Sequence, residues 1–211
     1  MKKIVALLAV ITFVACSTAP QLSQEEKEAF KFADKLIEKM TLVEKIGQLQ
    51  QFTTRKATVT GPEGVQRDVD ACIRAGEVGS FLSIKSKKEM LRLQEIAVKE
   101  SRLGIPLIFG YDIIHGCRIT FPENLAASCS WDLEAIEKAA RIAAEESAAV
   151  GLHWTFSPMC DVSADPRWGR VSEGAGEDPY LGSKISAAIV RGYQGNDLSS
   201  DKTIADRKSV V

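Results

Sequence analysis

The sequence predicts an α/β fold: a partial TIM-type (β/α)8 barrel, roughly its first half, behind an N-terminal signal segment. Apolar runs of strand length alternate along the chain with capped, amphipathic helices. The run from Ile105 to Phe109 is nearly continuous, as expected for a parallel strand covered on both faces. Length sets the extent, because a complete barrel takes about 250 residues and this chain has 211 including the signal. About three to four strand–helix units are therefore expected.

Met1-Lys2-Lys3 and the apolar stretch from Ile4 to Ala15 form the signal, residues 1–15, which is too short and wrongly flanked for a transmembrane helix. Phe13-Val14-Ala15-Cys16 resembles a bacterial lipobox with Phe13 in place of the usual leucine, so Cys16 is the expected lipidation site. A lipid anchor is then the only expected membrane contact, and the location is the bacterial cell envelope, periplasm or outer membrane. Ser23 with Glu26 makes a capping box before a helix whose apolar stripe is Ala29, Phe30, Ala33, Leu36 and Ile37. Thr41 with Glu44 makes another. A strand is expected at about Val78 to Ile84. Ser86 with Glu89 then caps a helix carrying Met90, Leu91, Leu93, Ile96 and Ala97.

The next strand is Ile105 to Phe109, followed by a loop through Pro122. A long Ala/Glu-rich helix runs from about Asp132 to Val150, with Gly151 as its C-cap. His153 to Phe156 reads as a short buried strand leading into a loop of interleaved charges and glycines. Asp178-Pro179 opens a last helix to about Tyr193, proline being suited to the first helical position. Trp131 and Trp168 are expected to pack in the core rather than to stack on a ligand.

Composition narrows the function. With 45% hydrophobic and 26% charged residues and a formal net charge of −1, the chain has no basic footprint for nucleic acid. Cys72, Cys117, Cys129 and Cys160 lack zinc-ligand spacing, so neither a metal nor a cofactor is expected and the thiols are read as free or buried. Histidine is confined to His115 and His153, which argues against a Ser-His-Asp hydrolase. Two segments carry the chemistry. Gly110-Tyr111-Asp112 with His115-Gly116 follows a predicted strand, at the end where parallel α/β folds bind ligands. Asp112 reads equally as a turn or helix-capping aspartate there, and His115 as a structural histidine. The second segment, Phe156 to Tyr180, packs Asp161, Asp165, Arg167, Arg170, Glu173, Glu177 and Asp178 among glycines.

Taken together, G-Y-D-x-x-H-G from Gly110, F-P-E-N-L-A-A-S-x-S-W-D from Phe121, P-M-C-D-V-S-x-D-P-R-W-G-R from Pro158 and E-G-x-G-E-D-P-Y from Glu173 closely resemble the amino-terminal barrel domain of the glycoside hydrolase family 3 β-glucosidases. M-T-L-V-E-K-I-G-Q-L at Met40 to Leu49 resembles the family's opening segment. The likeness runs from about Met40 to Ala205 and stops at Asp206, so residues 16–205 are expected to form the N-terminal part of the barrel domain and 206–211 a divergent, truncated tail.

The resemblance implies a fragment of a β-glucosidase that hydrolyses terminal non-reducing β-D-glucosyl residues by a retaining mechanism. It also implies that the nucleophile and the acid/base lie elsewhere, leaving no catalytic residue here and an inactive chain. The partners are β-glucosides or oligosaccharides. Asp112 would accept hydrogen bonds from two neighbouring sugar hydroxyls, and Arg170 would donate its planar fork from the other side. Arg167 and Glu173 would orient Arg170 through ion pairs, with His115 in support. A family 3 β-xylosidase, or a surface lipoprotein that binds oligosaccharide without cutting it, are the alternatives.

Overall fold

The computed structural model describes residues 22–53, 68–84 and 86–195, with the backbone of 204–205. The signal segment 1–15, Cys16 and the tail 206–211 lie outside the described residues.

Helix α1 (Gln24–Lys39) belongs to a unit of its own that ends at Thr41. The capping box forms as predicted, with Ser23 N–H donating to Glu26 Oε2 at 2.7 Å and Glu26 N–H to Ser23 Oγ at 3.1 Å. None of its residues is buried, and Phe30 and Ile37 of the apolar stripe are exposed.

The second unit, from Leu42, carries the sheet. Its elements are α2 (Leu42–Gln48), β1 (Gln51–Thr53), α3 (Val69–Arg74), β2 (Ser80–Leu82), α4 (Lys87–Glu100), β3 (Ile108–Tyr111), α5 (Asn124–Ser128), α6 (Leu133–Val150), β4 (Trp154–Thr155), a 3-10 turn (Val171–Glu173), α7 (Pro179–Gln194) and β5 (Ile204–Ala205). The five strands lie in sequential order, β1-β2-β3-β4-β5, and every neighbouring pair is parallel. Parallel neighbours need a crossover, and helices intervene between the strands. This is the arrangement of a partial α/β barrel.

The helices start and stop for local reasons visible in the chain. Ser86 Oγ accepts from Glu89 N–H at 3.3 Å, while the Glu89 carboxylate pairs with Arg92. Asp132 accepts from Ala135 N–H at 3.0 Å to open α6, and Gly151 ends it in the left-handed region at φ 98°. Asp178 accepts from Tyr180 and Leu181 N–H to open α7, with Pro179 in the first turn.

Strand β3 begins later than its apolar run. Pro106 has no N–H to donate, and both backbone groups of Leu107 go to the Gln94 side chain, at 2.7 and 3.2 Å, so the ladder starts at Ile108 and extends through Tyr111.

The core forms where strands meet helices. Phe52, Phe81 and Phe109 stand in register on β1, β2 and β3, with ring centroids 6.2 Å apart at each step, and His153 stacks on Phe109 at 5.8 Å. Phe81 is fully buried, which contributes about 2–3 kcal/mol. Met90, Leu93, Ile96 and Ala97 of α4 face this core, whereas Leu91 of the predicted stripe points to solvent. Glu44 is buried and gives both carboxylate oxygens to Arg102, which tethers α2 to the turn after α4. Helices α6 and α7 pack through Ala140, Ala143, Ala188 and Ile189.

Candidate functional site

Two loops at the carboxyl ends of the neighbouring strands β3 and β4 carry the candidate residues. Asp112 follows β3 directly and is exposed. Its loop returns on itself, with Phe121 N–H donating to His115 O at 2.8 Å and His115 Nδ1 lying 3.0 Å from Phe121 O. Gly116 makes the tight return possible. It sits at φ 117°, and a Cβ there would fall 1.9 Å from Ile119 O. Glu146 of α6 fastens the far side of the loop, its Oε2 accepting from Arg118 and Ile119 N–H at 2.8 and 3.0 Å. Those two backbone bonds lower the Glu146 pKa below the usual carboxylate range.

The loop after β4 carries Arg170, which stands at the entry to the 3-10 turn. That turn ends at Glu173, bringing the two side chains together as a bidentate pair. Arg170 Nε donates to Oε1 at 2.8 Å and Nη2 to Oε2 at 2.5 Å, and Nη2 also lies 3.5 Å from Met159 Sδ. Both side chains are about a quarter to a third exposed, so this pair is shielded more than a surface one. The turn is held in turn by Asn124, a buried residue of α5 whose Nδ2 donates to Glu173 O at 2.8 Å.

Electrostatics join the two loops. The Glu173 carboxylate raises the Arg170 pKa above its ordinary value; partial burial opposes it, and the charges of Asp112 and Asp161 add to the rise. Asp112 and Arg170 therefore belong to one field although they are 58 positions apart (170 minus 112). A cavity of about 560 Å³ beside α7 shares Met159 and Asp161 with this neighbourhood. Among the described residues no group of histidine, cysteine or acidic side chains is arranged to hold a metal.

Two expectations need correcting. Arg167 forms its ion pair with Asp165, at 2.6–3.1 Å, and its side chain is 88% exposed. The Asp-x-Arg spacing closes a local turn, with Arg167 N–H also donating to Asp165 Oδ1 at 2.9 Å, and this gives the Arg167 guanidinium a partner within its own turn. Trp131 is 74% exposed rather than in the core, because it sits in the turn between α5 and α6 at φ 57°. Among the described residues, Cys72, Cys117, Cys129 and Cys160 form no disulfide. Sequence reasoning gave no role to Asn124, Met159, Thr155 or Tyr193. Asn124 was visible inside a motif, but nothing in the chain tells which backbone group a side-chain amide will reach.

Residues 41–205 match the family described as the glycosyl hydrolase family 3 N terminal domain. A periplasmic beta-glucosidase of Salmonella typhimurium is 40% identical over 190 residues, covering 90% of this chain and 23% of its own length. A beta-xylosidase of Formosa agariphila is 32% identical, covering 97% of this chain and 24% of its own. Among solved structures, the beta-glucosidase from Listeria innocua in complex with isofagomine superposes with a TM-score of 0.74 at 38% identity, over 89% of this chain and 26% of that one. The same enzyme in complex with glucose gives 0.73. The chain spans about a quarter of the length of these relatives. A match over that stretch, with a relative 40% identical over 90% of the chain, makes the chain a member of glycosyl hydrolase family 3.

Proposed function

We propose that this segment grips the terminal glucose of a β-glucoside in a retaining β-glucosidase. The nucleophile and the acid/base would come from portions of the family's fold outside the matched residues. The observation that supports the reading is the placement of Asp112 directly after β3 and of Arg170 in the loop after the neighbouring strand β4, its guanidinium clamped by Glu173.

The chemistry suits a sugar. An ionised carboxylate has two acceptor oxygens and can take hydrogen bonds from two vicinal hydroxyls, while a planar guanidinium donates to ring oxygens and hydroxyls in a fixed geometry. Glu173 uses Nε and Nη2, which leaves Nη1 as the nitrogen able to face a ligand. Such contacts serve catalysis by holding the anomeric carbon in position rather than by bond making. Family 3 relatives named as beta-xylosidases keep a pentoside as the second reading. The periplasmic relatives support export to a bacterial envelope.

Titration of the chain with glucose and with isofagomine, followed by amide chemical shifts, tests the reading. Asp112→Asn and Arg170→Ala should each weaken binding at least about tenfold, and Arg170→Lys should recover little because the fork is lost. Wild-type affinity in Asp112→Asn would remove that residue from the site.

A further inference from the structure

The residue after Asp112 has both backbone groups committed to side chains from other elements. Ile113 N–H donates to Thr155 Oγ1 on β4 at 3.3 Å, and the Tyr193 hydroxyl on α7 donates to Ile113 O. All three residues are at most 2% exposed, so water does not compete for either bond. On the other side of Asp112, Tyr111 is in register with Thr155 on the sheet. Asp112 therefore projects from a backbone that is paired immediately before and after it.

The identities at these positions make sense only through polarity. Phenylalanine would fill the volume of Tyr193 and leave the buried Ile113 carbonyl without its donor, and valine would do the same to its N–H at Thr155. Tyr193 lies 80 residues from Ile113 in sequence, so no local turn demands the contact. Burial pushes its phenol up to about 12, so the hydroxyl remains a proton donor across the working range of pH.

We propose that Thr155 and Tyr193 are positioning residues for Asp112, fixing the direction in which its carboxylate leaves β3. The proposal rests on the reading of Asp112 as the acceptor of sugar hydroxyls. Rotation of the Asp112–Ile113 peptide would break one of the two buried bonds, so the carboxylate approaches a ligand already oriented. Pre-orientation of this kind strengthens binding without adding a contact.

The test uses the full 211-residue chain, with isofagomine as the probe, at a temperature where every variant is folded. Tyr193→Phe and Thr155→Val are each expected to weaken isofagomine binding about tenfold, the worth of roughly one buried hydrogen bond. Thr155→Val should also speed hydrogen exchange at the Ile113 amide by about the same factor, and Thr155→Ser, which keeps the hydroxyl, should restore both. Asp112→Asn should lose affinity while Ile113 exchange stays at the wild-type rate. Wild-type affinity in Tyr193→Phe and Thr155→Val, alongside a loss in Asp112→Asn, overturns the positioning role and leaves the sugar reading standing. Wild-type affinity in Asp112→Asn overturns the sugar reading and this inference with it.

Discussion

His153 shows how one side chain can make the stability of the sheet depend on pH. Its Nδ1 accepts from Phe109 N–H at 3.1 Å and its own N–H donates to Phe109 O at 2.9 Å, so a ring nitrogen completes the junction of β3 and β4. An acceptor Nδ1 must be unprotonated, and burial lowers the His153 pKa below its ordinary value of 6.5. The unfolded chain therefore takes up the proton first as pH falls. Stability is complete above the unfolded value and is lost as pH drops below about 6.5 toward the lower folded value. The urea midpoint should fall between pH 7.5 and pH 5, and His153→Gln should flatten that dependence over the same window. An identical slope in wild type and variant would assign the effect to other groups.

At the scale of elements, the packing of α6 on α7 turns on Gly192. A Cβ there would lie 2.4 Å from Glu137 O and 2.6 Å from Ala140 Cβ, and the first of these is backbone that cannot rotate away. Alanine gains about 1 kcal/mol of helix propensity over glycine, but overpacking a fitted interface costs about 1–3 kcal/mol. The clash wins. Gly192→Ala should therefore destabilise by about 1–2 kcal/mol in urea unfolding, whereas Gly182→Ala on the same helix, where a Cβ meets nothing within 4 Å, should stabilise slightly. A stabilised Gly192→Ala would mean that the helices part at little cost. These helices were legible in the chain because caps such as Asp132, Gly151 and Asp178 act within a few residues of themselves. The edge strands β1 and β5 were not, since Gln51-Phe52-Thr53 carries no apolar run and Ile204-Ala205 is paired only by its neighbour β4. Asp112 was legible as a candidate from its place after an apolar strand, and Arg170 from a glycine-rich charged loop whose motif resembles the family's. The partner of Arg167 was not, because nearness in sequence to Arg170 says nothing of which acid a turn will present.

For the molecule as a whole, the proposed site is one that grips rather than cuts. Retaining hydrolysis needs two carboxyl groups about 5–5.5 Å apart on either side of one glycosidic bond, one acting as nucleophile and the other as acid and then base. Glu173 is spent on Arg170 through both its oxygens, and we assign Asp112 to the sugar's hydroxyls. Neither is then available to attack an anomeric carbon. The relatives are about four times as long as the stretch matched here, which leaves ample chain in that family for the reacting groups. The 211-residue chain alone should accordingly bind isofagomine yet release no aglycone from an aryl β-glucoside above the uncatalysed rate. Turnover that disappears in Asp112→Asn would show that the reacting carboxylates lie within these residues, and the division between gripping and cutting would have to be redrawn.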